Sequence, residues 1–131
     1  MPSIKDARRT QSDDSPEQRM LETLRSGLRS RDAALLASLY HEGVEFRIVN
    51  RNNPPSRPLV LNGRDAVRRM LEDLCAREMT HEVIRSVAGA DSIAYGIECR
   101  YPDGCQVIGL NLATVKDGLI VSEISVDCWD E

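Results

Sequence analysis

The sequence is poor in the features that nucleic-acid-binding and zinc-binding proteins need. Its formal net charge is −4 and aromatic residues make up only 4% of it, so we expect neither a basic surface for phosphates nor a row of stacking side chains. No C-x-x-C pair occurs among the four cysteines, Cys75, Cys99, Cys105 and Cys128. We therefore predict reduced thiols, no metal ion and no nucleic-acid partner.

Long apolar runs are also missing. No segment reaches the length that crosses a membrane, and the N-terminal stretch MPSIKDARRTQSDDS has no apolar core typical of a secretion signal. We expect no membrane contact and a cytoplasmic location. The polar, aperiodic residues 1–14 are expected to form a disordered tail, and residues 15–131 a single domain.

Helical periodicity is present in the first half of the chain. Ser15-Pro16-Glu17-Gln18 is typical of a helix N-terminus, with Ser15 as the capping residue. A second helix is expected over about 32–40, with His41 at its C-terminal end. A third is expected over about 63–78, capped by Asn62.

The remaining segments have the pattern of β-strands. Val44–Val49 is β-branched and apolar, whereas the prolines of the segment 50–58 predict a loop, followed by a short strand at 59–61. Four longer strands are expected near 80–88, 92–101, 105–116 and 119–129. Helices early and strands late, without regular alternation, predict an α+β fold with an antiparallel sheet.

Two Asp-Gly turns set the register of the last three strands. A three-residue loop with glycine in the left-handed region places Tyr101 opposite Cys105 and Val115 opposite Leu119. A two-residue turn is the alternative and shifts the register by one residue. With three-residue loops, odd-numbered residues share one face of the sheet and Asn111 lies directly opposite Glu123.

Both faces of this predicted sheet are substantially apolar, so something must cover each of them. The odd-numbered face has a polar centre within an apolar border, as a ligand pocket has: Asn111, Glu123, Ser125 and Asp127. The even-numbered face carries a continuous aliphatic patch: Ile108, Leu110, Leu112, Ile120, Ile124 and Val126. If the helices cover the odd-numbered face, this patch requires a partner chain.

The order of these elements resembles a known superfamily. The local matches are LASLYHEGVEF at 36–46, NGRDAV at 62–67, GADSIAY at 89–95 and DGLI at 117–120. Over about residues 16–129 the chain resembles the nuclear transport factor two-like superfamily, and within it the SnoaL-like polyketide cyclase branch. The resemblance implies a cone, in which a curved antiparallel sheet wraps around three N-terminal helices and encloses a cavity. Many members form homodimers through the outer sheet face, which here is the even-numbered one.

The resemblance also implies a set of cavity residues. Alternate positions of the last strand line the cavity in this superfamily, so we expect Glu123 and Asp127 to face inward. A carboxyl group among apolar neighbours should have a raised pKa, so we expect Glu123 to act as an acid–base residue. Asp127 is the second catalytic candidate, and its alternative is an exposed acid at the rim of the cavity. The expected ligand-binding residues are Tyr40, Phe46, Ile48, Tyr95, Ile97, Cys99, Asn111, Ser125 and Trp129. The alternative for Glu123 is a structural carboxylate, satisfied by Asn111 or by a helix arginine such as Arg25 or Arg68.

Two functions fit these expectations. The first is a homodimeric, cofactor-free domain that binds a small apolar molecule with a carbonyl or hydroxyl group and catalyses isomerisation, dehydration or cyclisation by proton transfer. The second is a non-catalytic ligand-binding or protein-interaction module. It is favoured by the first long strand, where the general base of a ketosteroid isomerase is replaced by Arg47-Ile48.

Overall fold

The computed structural model describes residues 15–130, so the tail expected at 1–14 lies outside the described residues. Its elements are α1 (Pro16–Ser30), α2 (Ala33–Ala37), β1 (Tyr40–Val49), β2 (Leu59–Asn62), α3 (Arg64–Ala76), β3 (Thr80–Gly89), β4 (Ser92–Arg100), β5 (Gln106–Lys116) and β6 (Leu119–Trp129). This is the expected α+β arrangement. None of the helices within 15–130 is long and apolar enough to cross a membrane.

The strands form one curved, unclosed sheet in the order β2-β1-β6-β5-β4-β3. Every neighbouring pair is antiparallel except β1 and β6, which run parallel. A parallel pair requires a crossover connection, and β2 through β5 supply it here. The helices pack on one face of the sheet, with α1 against β3 and α3 against β1.

The helix boundaries differ from the sequence prediction at α2. The Ser15 cap is confirmed, because its hydroxyl accepts a hydrogen bond from the backbone N–H of Gln18 at 3.0 Å. The second helix stops at Ala37 instead of reaching 40. The backbone carbonyl of Leu39 accepts a hydrogen bond from the N–H of Ile120 at 2.8 Å, so pairing with β6 outweighs local helix propensity. His41 therefore lies in β1 and does not end a helix.

The predicted cap of the third helix is also wrong. Asn62 is the last residue of β2 and pairs with Glu45. Gly63 occupies the cap position with φ of 91°, and no side chain caps the helix. The backbone N–H of Gly63 donates a hydrogen bond to the carbonyl of Val44 at 2.7 Å. The turn from strand to helix thus uses the left-handed backbone that glycine adopts without strain.

The two hairpin loops have different lengths. The loop between β4 and β5 has three residues as predicted, with the N–H of Tyr101 bonded to the carbonyl of Cys105 at 2.9 Å. The loop between β5 and β6 is the two-residue alternative, in which Asp117 and Gly118 both have positive φ, 53° and 78°. A bulge between Thr114 and Val115 then adds a second shift of one residue.

This bulge decides which residues face each other. Asn111 pairs with Ser125, and Glu123 pairs with Ala113, so the predicted direct pairing of Asn111 with Glu123 is wrong by two residues. Two shifts of one residue preserve the parity of the strands beyond the bulge. The odd-numbered residues of β5 and β6 therefore still share one face there, and that face lies against the helices.

The outer face of the sheet carries the aliphatic patch with one exception. Leu110, Leu112 and Val126 are 61%, 62% and 48% exposed. Ile120, which the sequence analysis placed in the patch, is completely buried. It precedes the point where the register shifts and pairs with Val115 and Tyr40, both of which are buried in the core.

The crossing of α1 and α2 depends on Gly27. A methyl group at this position would lie 2.8 Å from Cδ2 of Leu36 and 2.9 Å from its Cγ. Leu36 is 1% exposed and belongs to the central hydrophobic cluster. A side chain on residue 27 would therefore push the two helices apart.

We predict that Gly27→Ala destabilises the protein. Alanine favours an isolated helix over glycine by ~1 kcal/mol, but overpacking a filled core costs ~1–3 kcal/mol, so the net change should be a loss. Urea unfolding followed by circular dichroism measures it. Ser26→Ala, at an exposed position one residue earlier, is the control and should be neutral or slightly stabilising. A gain in stability for Gly27→Ala would contradict the close contact.

Candidate functional site

A cavity of about 480 Å³ lies between the helices and the inner face of the sheet. Its apolar wall comes from four sources, namely α1 (Leu24 and Leu28), α2 (Leu36), α3 (Met70, Leu71 and Leu74) and the inward positions of the strands. The structure places every residue of the predicted site in this wall: Tyr40, Phe46, Ile48, Tyr95, Ile97, Cys99, Asn111, Glu123, Ser125, Asp127 and Trp129. Their roles stay predictions, whereas their convergence on one cavity is observed.

Glu123 lies at the centre of a hydrogen-bonded cluster and is 4% exposed. The Tyr40 hydroxyl donates to its Oε1 at 2.8 Å, and the Asn111 amide donates to its Oε2 at 2.7 Å. The Tyr95 hydroxyl also donates to Oε2. The donors come from three strands, β1, β5 and β4, and Asn111 reaches Glu123 diagonally, because its direct partner on β6 is Ser125.

No cation accompanies this buried carboxyl group within residues 15–130. The two helix arginines that the sequence analysis considered are bonded elsewhere: Arg25 donates to Ser86, and Arg68 to Glu72 at 2.9 Å. Burial raises the pKa of Glu123 above its usual value, although hydrogen bonds from Tyr95, Asn111 and Tyr40 oppose the shift. Burial, together with the Glu123 charge, raises the pKa of both tyrosines well above the usual range.

Asp127 is the second carboxyl group of the cavity and is only partly buried. The Ser125 hydroxyl lies 2.9 Å from its Oδ1. Gly109, directly opposite on β5, makes room for it, because a methyl group there would lie 2.7 Å from the same oxygen. Burial raises the pKa of Asp127, and the Ser125 hydrogen bond partly opposes this.

Sequence reasoning missed a contact between His81 and Cys99. The two residues pair across β3 and β4, and Nδ1 of His81 lies 3.0 Å from Sγ of Cys99. Burial, with the nearby charges of Asp127 and Glu98, raises the pKa of the Cys99 thiol to about 11. The thiol is therefore neutral at physiological pH. Cys99 is part of the cavity wall and does not act as a nucleophile. From the sequence, this contact could have been found only by working out the register of the β3–β4 hairpin.

The wall contains further residues that the sequence analysis did not select, namely Asn50, Asn52, Arg77, Met79, Tyr101, Cys105, Val107 and Gly109. Among them Arg77 carries charge. It bonds to Asp73 at 2.7 Å and to the Tyr101 hydroxyl at 3.2 Å, and its side chain is 49% exposed. Arg77 lies just after α3 and Tyr101 just after β4. Both fall inside elements predicted from the sequence, the helix at about 63–78 and the strand near 92–101, but neither residue was assigned to the site.

Comparison with known proteins places the chain in a family. Residues 18–123 match the family model of the SnoaL-like domain, and the chain belongs to this family. The match covers the helices and the sheet up to Glu123, and so includes the central carboxyl group of the cavity. No curated protein matches the chain.

Solved structures show the same fold at low sequence identity. A candidate ketosteroid isomerase from Kribbella flavida is 20% identical with a TM-score of 0.73, covering 91% of this chain and 81% of its own. A nuclear transport factor two-like protein of unknown function from Mesorhizobium loti is 23% identical with a TM-score of 0.73, covering 88% of this chain and 93% of its own. The expected SnoaL-like family is therefore confirmed by the family model, and the expected cone fold by these solved structures.

We predict that Glu123 makes the stability of the protein decrease with rising pH. Because the folded pKa lies above the unfolded one of ~4.3, the stabilisation is complete below the unfolded pKa and is lost as pH rises through the folded pKa. Urea unfolding of wild type and Glu123→Gln at a series of pH values isolates this contribution. The stability of the variant relative to wild type should improve as pH rises from 4. A constant difference across the series would contradict the prediction.

Proposed function

We propose that this SnoaL-like domain binds a small, largely apolar molecule in its cavity and that Asp127 exchanges a proton with that molecule. One observation carries the proposal: two carboxyl groups, Glu123 and Asp127, face the same mostly apolar cavity of about 480 Å³. Such a cavity, with few convergent polar groups, is typical of small-molecule sites. Carboxyl groups with raised pKa values suit acid–base catalysis near neutral pH.

The contacts favour different roles for the two carboxyl groups. Both oxygens of Glu123 accept hydrogen bonds from protein donors, so Glu123 positions and polarises its neighbours. Asp127 accepts from Ser125 through Oδ1, and no described residue donates to its Oδ2. That free oxygen is the best-placed proton acceptor in the cavity. The assignment makes Asp127 the acid–base residue and Glu123 a positioning residue.

The reaction class that fits is proton transfer at carbon without a cofactor, as in an isomerisation, a dehydration or a cyclisation. A carboxylate in a water-poor cavity is a stronger base than in solution, since burial disfavours its charged form. The structural similarity to a candidate ketosteroid isomerase from Kribbella flavida is consistent with this class. The proposal nevertheless depends on the arrangement of Asp127 and not on that likeness.

We predict that Asp127→Asn abolishes proton exchange while ligand binding persists. The probe for exchange is 6-hydroxy-2-tetralone, which carries a ketone and a hydroxyl group, in deuterium oxide, followed by NMR at its α-carbon. The probe for binding is the fluorescence of N-phenyl-1-naphthylamine. General acid–base catalysis contributes roughly 10²–10⁴-fold to rates, so exchange should fall by at least about 100-fold. Asp103→Asn is the matched control in the β4–β5 loop and should change neither readout.

Two outcomes would contradict parts of this proposal. Binding of the naphthylamine without any wild-type exchange, on hydroxytetralone and on a panel of related hydroxyketones, would remove the catalytic step and leave a ligand-binding module. Binding that survives Ile97→Trp unchanged would remove the cavity as the binding site, since Ile97 lies in its wall. Ile84→Trp, at an exposed position, controls for the added indole.

We also propose that a second copy of the chain covers the outer face of the sheet. The patch there consists of Ile108, Leu110, Leu112, Ile124 and Val126, all at least 36% exposed. It is bordered by the ion pairs of Arg47 with Glu45 and of Arg100 with Glu98, each at 2.8 Å. An apolar centre with a rim of both charge signs suits a self-complementary two-fold contact.

We predict that Leu112→Glu yields a monomer whereas the wild type is a dimer. The substitution places an unpaired carboxylate in the apolar contact, which strongly disfavours association. Light scattering after size-exclusion chromatography at micromolar concentration gives the mass. Arg69→Glu on the exposed face of α3 is the control and should leave the dimer intact. A monomeric wild type would contradict the proposal.

A further inference from the structure

We infer that the Glu123 end of the cavity takes a hydrogen-bond-donating group of the ligand, such as a hydroxyl or an amine, and disfavours carbonyl-only and anionic groups. The inference rests on the proposed ligand binding and narrows the ligand class. Its basis is the direction of the hydrogen bonds around Glu123. The hydrogen atoms of the neighbouring side chains are directed at Glu123, so the groups that remain for a ligand are mainly hydrogen-bond acceptors.

The tyrosines have no hydrogen left for a ligand. A phenol carries a single O–H hydrogen, and those of Tyr40 and Tyr95 are both directed at Glu123. Each phenol oxygen still has lone pairs that accept hydrogen bonds. A ligand at this end therefore meets two tyrosine oxygens as acceptors, although tyrosines are usually counted as donors.

Asn111 adds to this excess of hydrogen-bond acceptors at the Glu123 end of the cavity. Its amide nitrogen must face Glu123, because a carboxylate accepts hydrogen bonds and an amide oxygen cannot donate. Three of the four hydrogens that Tyr40, Tyr95 and Asn111 offer are thus held by Glu123. The Ser125 hydroxyl lies 2.9 Å from Asp127 but 3.4 Å from Oδ1 of Asn111. Its hydrogen favours Asp127, which leaves the Asn111 oxygen as a further acceptor.

Charge disfavours an anion at this end. Glu123 and Asp127 both line the cavity, and no described lysine, arginine or histidine pairs with Glu123. Arg77 is the arginine of the cavity wall, and it is bonded to Asp73 and Tyr101. An anionic ligand group beside Glu123 would meet like charge in a desolvated site without a counterion.

Binding of an oxyanion would require a rearrangement that can be measured. The tyrosine hydrogens would have to turn from Glu123 to the ligand, and Glu123 would then have to take up a proton. Such binding would carry a net proton uptake. Binding of a neutral donor requires no uptake, because the existing hydrogen bonds stay in place.

The test uses three probes that share one naphthalene body: 2-naphthol, 2-methoxynaphthalene and 2-naphthoate. Isothermal titration calorimetry at pH 7 gives their affinities, and repetition in buffers of different ionisation enthalpy gives the protons exchanged. We expect 2-naphthol to bind at least 10-fold more tightly than 2-methoxynaphthalene, 2-naphthoate to bind most weakly, and 2-naphthol to bind without proton uptake. Equal or tighter binding of either other probe, or proton uptake with 2-naphthol, overturns the inference.

A variant links the preference to Glu123. In Glu123→Gln one acceptor oxygen becomes a donor, and the tyrosine hydrogen that it accepted is released to the cavity. The preference for 2-naphthol over 2-methoxynaphthalene should therefore fall at least fivefold. An unchanged preference in a folded variant contradicts the inference, and if the variant does not fold, the wild-type comparison decides. If no probe binds and none displaces N-phenyl-1-naphthylamine, the proposed binding function itself fails, which differs from a reversed order among probes that bind.

Discussion

The structure depends on a buried carboxyl group that has no cation beside it within residues 15–130. Among these residues the donors to Glu123 are all neutral, and they come from the start of β1, the middle of β4 and the middle of β5. Leaving such a group without its donors would cost several kcal/mol, roughly 1–3 for each lost partner. The cluster therefore fixes how three strands meet around one end of the cavity, and it also sets the polarity that a ligand encounters there.

Much of this arrangement follows from the sequence, for reasons of strand periodicity. The inward positions of β5 and β6 beyond the bulge are correct because two shifts of one residue add up to two, which is the side-chain period of a strand. The direct partners were wrong, since neither the two-residue turn at Asp117-Gly118 nor the bulge at Thr114 has a unique sequence signal. Ile120 was assigned to the outer face for the same reason. A bulge changes the direction of side chains locally, and its position depends on the packing of the whole sheet.

The contacts of Glu123 were only partly predictable. Asn111 was expected beside it, and it is there by a diagonal contact. Tyr40 was expected at the end of a helix, whereas tertiary pairing with β6 starts a strand at that residue and directs its hydroxyl to Glu123. The His81–Cys99 contact required the register of the β3–β4 hairpin, which has no Asp-Gly signal of the kind found in the two later hairpins. Local propensity therefore identified the elements, and long-range pairing decided the site.

The central claim is that Glu123 is a desolvated carboxyl group held by neutral donors inside the cavity. The most direct measurement is a carbon-13 NMR titration of its side-chain carboxyl, assigned by comparison with Glu123→Gln. The account predicts a midpoint clearly above that of an ordinary glutamate, ~4.3, because burial outweighs the three hydrogen bonds. A midpoint at or below that value would contradict the claim that burial outweighs the hydrogen bonds, because the carboxylate would then be stabilised more by its donors, by water or by a cation than it is disfavoured by burial.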